Sequence, residues 1–397
     1  MNIGVVVDNY FYNDIRVRKE CRILADSGHS IFVLCYSNSK YNNTQLHKTT
    51  ITGIKIPYTF ANFLFVIVNR LPIFNYLWGW QIKNFINKYN LDVIHAHDLY
   101  MSKPASIGIK LSNRNIPLIL DLHENYPAAI QSYGWANKGI KSLVIAPKKW
   151  AIKEKSYLHY ASKIIVLSNH YKQFLLNKYT TLSFDNIIVY PNVIDYTRFS
   201  SFPVETLNKD KKLTLFYFGV LAQRRGIFEA IHATKEIIKR GFDVKLLMIG
   251  PVDKADKFEF FSQISNIETS NNFEYIPWIN LDKLVSYLKI VDICLAPFHK
   301  NPQHESGIAN KIFQYMYGGK PIVASNCGPQ QELIETNEIG LIYKTQDEFV
   351  DQIIKLIKSP VLRIKMGENA KKVLFTQFHP DKIDKALINL YKNNINT

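Results

Sequence analysis

The strongest constraint on this chain is an alternation that runs along it twice. Short apolar runs at 2–7, 30–35, 93–96, 117–121, 163–167 and 187–190 alternate with amphipathic stretches at 14–27, 80–89, 100–113, 148–160 and 169–178. Strand-length runs that are apolar throughout, separated by helix-length amphipathic ones, form the βαβ pattern of a parallel sheet covered on both faces. The polar, aperiodic "SSFPVETLNKDKK" at 200–212 reads as a linker. The alternation then restarts, with strands at 213–219, 244–249, 273–276, 292–295, 322–325 and near 341–343. Helices are expected at 227–240 and 281–289, in the run from 304 to 319, through 374, and at 380–393. The expected fold is α/β, two doubly wound, Rossmann-like parallel-sheet domains facing a cleft. They span 1–199 and 213–375, and 376–397 is expected as a C-terminal helix crossing back to the first. A chain of 397 residues is long enough to build both cores.

Several classes are set aside early. Cys21, Cys35, Cys294 and Cys327 are scattered without a CxxC pair, so they read as core thiols in a reducing compartment. The chain opens directly into the strand-like "NIGVVVD", with no basic leader before an apolar run, so no signal peptide is expected. "FANFLFVIVNRLPIFNYLWGW" at 60–80 is the greasiest stretch, but Asn62, Asn69, Arg70 and Pro72 interrupt it short of a membrane span. Net charge is +16 and uneven: residues 1–200 carry 23 Lys and Arg against 11 Asp and Glu, the remainder 26 against 22. A basic first half calls for an anionic partner, or is generic solubility charge.

Ligands of such sheets bind just past the carboxyl ends of the strands. There the first half places Asp8, His97-Asp98, His123-Glu124 and Ser168-Asn169-His170; the second places Gly219 with "VLAQRRG" and Gly250-Pro251. His97 and His123 end strands separated by a single helix, so the spacing makes them near neighbours. A third metal ligand at helpful spacing is not evident. Arg224 and Arg225 fall in the turn before a helix starting near Gly226, where free N–H groups and guanidinium groups make a diphosphate site. Neither half carries GxGxxG after a strand, and there is no GxxxxGK[ST] loop. In "HESGIANKIFQYMYGGKPIVASNCG" at 304–328, Ile308, Ile312, Tyr315 and Met316 make an apolar helical stripe, with Asn310, Lys311 and Gln314 on the other side. That polar stripe is either solvated surface or the wall of a site.

Taken together, these residues resemble glycosyltransferase family 4 of the GT-B fold over nearly the whole chain. The resemblance rests on "DIRVRKECRILADSGHSIFVL", "DVIHAHD", "LDLHENYP", "SKIIVLSN", "VYPNVIDYTRF", "YFGVLAQRRGI", "VDICLAPF", "NKIFQYMYGGKPIVAS" and "EIGLIY", nine motifs in the family's order. It implies retaining transfer of a sugar from a nucleotide-sugar in the interdomain cleft, with no cofactor and no metal. By motif position, His123 would be the catalytic-site residue at the anomeric carbon. Gly219, Arg224, Arg225, Glu305, Ser306, Asn310, Lys311 and Gln314 would bind the donor, and Asp14, Arg16, His97, Asp98 and Glu124 would lie on the acceptor side. The family's paired glutamates are Ser306 and Gln314 here, although Glu305 stands beside the first. Val193 replaces a glycine, and Val220 holds a position often basic in relatives. Gln314 still offers an acceptor and two donors to a ribose diol.

The expected partners are a nucleotide-sugar, a glycan or lipid-linked acceptor, and an anionic membrane surface. Lysines crowd 138–178 against the single acid Glu154, with Trp150 and Tyr157 among them, and the 60–80 stretch suits the same docking role. The equal alternative is a solvated helix face and a buried loop. The expected location is cytoplasmic, peripheral on the inner membrane face. Two other functions fit less well: a nucleotide-sugar epimerase of the same fold, and a basic nucleic-acid-binding protein, for which no recognition helix or RNA-binding motif is present.

Overall fold

Two mainly parallel sheets organise the chain, each inside its own compact unit. The computed structural model describes residues 1–37, 45–46, 48–56, 58–133, 136, 139–265 and 271–393. One unit comprises Met1–Pro191 with Asp381–Thr397, the other Asn192–Pro380. Residues 200–212, read as a linker, are counted within the second unit.

The first sheet contains β1 (Asn2–Tyr10), β2 (Ser30–Tyr36), β3 (Gln45–Leu46), β4 (Thr49–Ile54), β5 (Val93–His97), β6 (Leu118–Asp121), β7 (Lys163–Val166) and β8 (Ile187–Val189). Its spatial order is β3-β4-β2-β1-β5-β6-β7-β8, parallel throughout except for the short edge pairing of β3 with β4. The second sheet contains β9 (Leu213–Phe218), β10 (Val244–Ile249), β11 (Phe273–Ile276), β12 (Ile293–Ala296), β13 (Ile322–Ser325) and β14 (Gly340–Tyr343), in the order β11-β10-β9-β12-β13-β14. Strand order reverses between β1 and β5 in one sheet and between β9 and β12 in the other. These are the switch points at which such sheets bind ligands.

The central strands are buried on both faces, which explains their unbroken apolar runs: β5, β6, β12 and β13 are buried at every position. The helix Pro380–Asn393 belongs to the first unit, where Leu387, Leu390 and Tyr391 join Ile3, Val5, Val17 and Leu24 in one apolar cluster. The greasy 60–80 stretch is not a connection. It forms the helix Tyr58–Ile67 and the first turns of Ile73–Tyr89. In the second, Phe74, Trp78, Ile82, Phe85 and Ile86 face the core. β4 was not expected, because "TTITGI" is half threonine and lies beside the edge of the sheet.

Candidate active site

At the switch point of the first sheet, strand ends meet the helix Ile15–Asp26, whose N-terminus Asp14 caps by accepting the Val17 N–H at 3.0 Å. Arg16, one residue inside the helix, is buried. Its Nε and Nη2 donate to the Asp121 carboxylate at the end of β6, at 2.9–3.1 Å, and Nη2 also donates to the Tyr190 carbonyl at 3.3 Å. Glu20 lies one turn on, with Oε1 3.0 Å from Arg16 Nε. Burial would raise the Asp121 carboxyl, yet the Arg16 guanidinium outweighs it and holds Asp121 below the usual carboxylate range. Glu20 goes the other way: burial pushes it well up, although Arg16 opposes the shift.

Two histidines of β5 point into this network. His95 and His97 stack with ring centroids 4.4 Å apart. His95 Nδ1 lies 2.7 Å from the Tyr391 hydroxyl of the C-terminal helix, and His97 Nδ1 lies 3.0 Å from His123 Nε2. Burial first, then neighbouring charge, keeps His97 well below the ordinary histidine range, so its ring is neutral. It therefore pairs with His123 by hydrogen bonding.

These contacts correct the expected acceptor side. Arg16 and His97 are enclosed and do not line the surface, so His97 acts outward only through His123. His123 is partly exposed and has Asp98 Oδ2 at 3.9 Å from its Nδ1. Asp98 adopts φ 70° and ψ 145°, a strained backbone conformation that residues other than glycine rarely adopt. Glu124 accepts from the Tyr133 hydroxyl at 3.1 Å. The missing third metal ligand is also corrected, because Glu20, His95, His97 and Asp121 bring donor atoms within 4.8 Å of one another. The positive charge this cluster needs is already present as Arg16, bonded to one carboxylate and close against the other.

Sequence reasoning missed Tyr100 and gave Asp8 no role. The Tyr100 hydroxyl donates to Asp8 Oδ1 at 2.8 Å, and Asp98 Oδ2 lies 3.3 Å away. Asp8, Asp14 and Asp98 line a cavity of about 290 Å³ with Tyr10, Tyr36, Ala61, Phe65 and Tyr100. Burial and then the Asp98 charge raise the Asp8 carboxyl to about 7, partly countered by the bond from Tyr100. Between about pH 4 and 7 the folded protein therefore holds a proton that the unfolded chain has released, so stability falls as pH rises through that window. Asp8→Asn removes the penalty. It should be more stable than the parent by on the order of 4 kcal/mol near pH 8, and equal to it below about pH 4. Urea melts across that range check this, and a constant difference at every pH would refute it.

In the second unit, β9 ends at a turn, Gln223–Arg225, that runs into the helix Ile227–Lys239. Gly226 starts that helix at φ 76°, and a Cβ there would lie 1.7 Å from the Pro297 carbonyl, so only glycine fits. The Tyr217 hydroxyl donates to the Arg225 carbonyl at 3.2 Å. Arg224 pairs with Asp253 at 3.0 Å, while the Arg225 guanidinium has no acidic partner among the described residues. The loop after β12 is tied down by His299, whose Nε2 lies 2.7 Å from Glu229 Oε1 and whose pKa that bond raises.

The helix Asn310–Gly318 is clamped over both central strands. The Tyr315 hydroxyl accepts from the Phe218 N–H at 3.0 Å and donates to the Leu295 carbonyl at 3.3 Å. Its polar stripe is not solvated surface, because Lys311 and Gln314 are buried. Lys311 Nζ sits 3.4 Å from the Tyr217 ring centroid and 5.1 Å from that of Phe298, with no hydrogen-bond partner among the described residues. Burial, and then Arg225, hold its pKa well below the usual lysine range. Gly219 leaves space beside it, since a Cβ there would come no nearer than 3.7 Å to Lys311 Cε. Asn310 donates to the Asn192 carbonyl at 3.0 Å. Glu305, next to the position of the family's first glutamate, accepts from the Gly328 N–H at 2.9 Å, and the Ser306 hydroxyl donates to the Gln303 carbonyl at 2.6 Å.

A family model described as "Glycosyltransferase Family 4" matches residues 15–198, and one described as "Glycosyl transferases group 1" matches 199–373. The capsular polysaccharide biosynthesis glycosyltransferase CapM of Staphylococcus aureus is 24% identical over 64% of this chain and 66% of its own length. Of three other curated relatives, the chain spans about half the length. Sucrose-phosphate synthase from Thermosynechococcus elongatus superposes with a TM-score of 0.75 at 18% identity over 98% of both chains. Anabaena HepE, solved in complex with UDP-glucose, gives 0.71 at 14% identity over 99% of both. At such identities these two structures establish the fold.

Proposed function

Because the chain belongs to the glycosyltransferases, joining a family 4 half to a group 1 half, we propose that it moves a sugar from a nucleotide-sugar to a glycan or lipid-linked acceptor. Transfer proceeds with retention at the anomeric carbon and without a metal. The biological setting is bacterial cell-surface polysaccharide synthesis, the role named for the capsular relative. The observation that carries the reading is the buried Lys311 amine, lacking a hydrogen-bond partner among the described residues and close to Arg225 at the second sheet's switch point.

A buried cationic group without a counter-ion is costly. A diphosphate supplies the counter-ion and draws the Lys311 pKa back up. The N-termini of Ile227–Lys239 and Asn310–Gly318, neither with a side-chain cap, add N–H donors and positive dipole ends. Charge on the departing diphosphate is thus stabilised by the chain's own groups. Gln314, one turn along from Asn310, offers a neutral amide to the ribose hydroxyls. On the acceptor side, His123 is held in one orientation by His97 and positions the incoming hydroxyl, so catalysis is mainly placement and charge stabilisation.

Thermal-shift measurements with UDP, GDP, dTDP and their sugars test this directly. One nucleotide series should raise the melting temperature by several degrees, and if none does, the reading falls. Conversion of the stabilising nucleotide-sugar to its epimer, rather than its hydrolysis, with no acceptor present would identify an epimerase instead.

A further inference from the structure

Two stretches singled out separately in the sequence form one surface of the first unit. Asn69 Nδ2 donates to the Ile145 carbonyl at 2.6 Å, Arg70 Nη2 to the Leu143 carbonyl at 2.6 Å, and Lys153 Nζ to Asn69 Oδ1 at 2.8 Å. These bonds join the Tyr58–Leu71 segment to the helices Gly139–Ile145 and Lys148–Leu158. Across the joined surface, large apolar side chains face solvent: Phe63 is 56% exposed, Trp80 54%, Leu143 66% and Ile152 79%, with Phe60, Leu71, Ile73, Tyr76 and Leu77 also exposed.

The expected face was a different one. Trp150 and Tyr157, read as docking aromatics, are buried in the core, and Lys138 lies outside the described residues. What the helix Lys148–Leu158 exposes is Ile152 flanked by Lys148 and Lys155. The charge on the surface has one sign. Residues 58–80 contain Arg70 and no acid, 142–153 contain Lys148, Lys149 and Lys153 and no acid, and Glu154 is buried against Lys178 and Tyr179. An ordinary solvated surface mixes signs and scatters its apolar residues. Aromatic and aliphatic side chains ringed only by cations match the interface of an anionic bilayer, where Trp and Tyr sit at headgroup depth.

We propose that this face docks the protein on an anionic lipid bilayer. The inference deepens the transferase reading, because it names the partner that brings a lipid-linked acceptor to the enzyme. The helix Tyr58–Ile67 joins the two roles. Phe60 and Phe63 face out, while Ala61 and Phe65 wall the carboxylate-lined cavity containing Asp8 and Asp98. A bilayer at the outer face thus lies about one helix diameter, ~10 Å, from that cavity.

The test is co-sedimentation of the full chain with vesicles of phosphatidylcholine alone or mixed equally with phosphatidylglycerol, at low and high salt. The protein should bind the anionic vesicles at least about tenfold more tightly, and high salt should weaken that binding. Phe63→Glu with Trp80→Glu should abolish it, and Lys148→Glu with Lys155→Glu should weaken it at least about tenfold. All four positions are outside the catalytic and donor machinery, so the nucleotide-induced thermal shift must persist in both variants. Parent protein that stays in solution with anionic vesicles at low salt would overturn the proposal. So would vesicle binding undiminished in Phe63→Glu/Trp80→Glu, or dimers in solution that the same variant dissolves. If vesicles bind but no nucleotide stabilises the protein, the docking face stands and the transferase reading falls.

Discussion

Replacing Arg16 by alanine should cost the protein about 3–5 kcal/mol, the penalty for stranding a buried carboxylate. That is a large share of the roughly 5–15 kcal/mol that holds a domain folded. Asp121 is fully enclosed and takes three contacts from the guanidinium, and Glu20 lies against the same group. With Arg16 gone, Asp121 loses its bonded cation and keeps the His97 and His123 rings at 3.7 and 3.8 Å. Adding Asp121→Asn to Arg16→Ala should recover part of the loss, because a neutral amide tolerates burial better than an unpaired charge. Urea titration followed by circular dichroism measures both variants. An Arg16→Ala midpoint equal to the parent's would show that the network contributes nothing to stability.

The same network shows where sequence reading stops. Arg16, Lys19 and Glu20 share one helix with Val17, Cys21 and Leu24, and all are buried. In sequence, charges at these spacings read as a functional or solvated face, and the family pattern had set Arg16 on the acceptor side. Their partners lie far along the chain: Asp121 for Arg16, and Asp384 at 3.6 Å for Lys19, on the C-terminal helix. A pattern that works over seven or eight residues cannot show a charge neutralised from more than a hundred positions away. His95 escaped notice for a related reason, since a histidine inside a buried strand is recognised as a network member only once Tyr391 is placed beside it.

What was legible followed from periodicity and chain geometry. β5, β6, β9, β10 and β12 were readable because strands covered on both faces cannot hide polar positions. The position of Arg224 and Arg225 in a turn was readable because Gly226 marks the start of the helix that follows a strand. The helix Tyr58–Ile67 was not readable. Phe60 and Phe63 face water while Ala61 and Leu64 face the core, so the segment has apolar residues on both sides and no polar stripe to betray its period. Burial of Gln314 was equally hidden, since a polar residue opposite an apolar stripe is ordinarily exposed.

Lys311 carries the largest functional expectation. Lys311→Ala should lower kcat/KM for sugar transfer by about 10²–10³, the usual consequence of removing one charge-stabilising group from a leaving-group site. Alanine also leaves a void against Tyr217 and Phe298, so Lys311→Met is the cleaner variant. Methionine covers the same rings with an unbranched apolar side chain and no buried amine. Without nucleotide, Lys311→Met should therefore melt at or above the parent temperature, because it relieves the cost of burying an amine that burial and Arg225 both push toward neutrality. With nucleotide it should lose most of the parent's thermal shift. A second signature follows from the lowered pKa. Binding a diphosphate raises the Lys311 pKa, so calorimetry in buffers of different ionisation heat should register more proton uptake by the parent than by Lys311→Met over the pH range through which that pKa moves. A merely structural lysine would leave nucleotide affinity and proton uptake unchanged in the methionine variant, and that result would move the diphosphate site elsewhere.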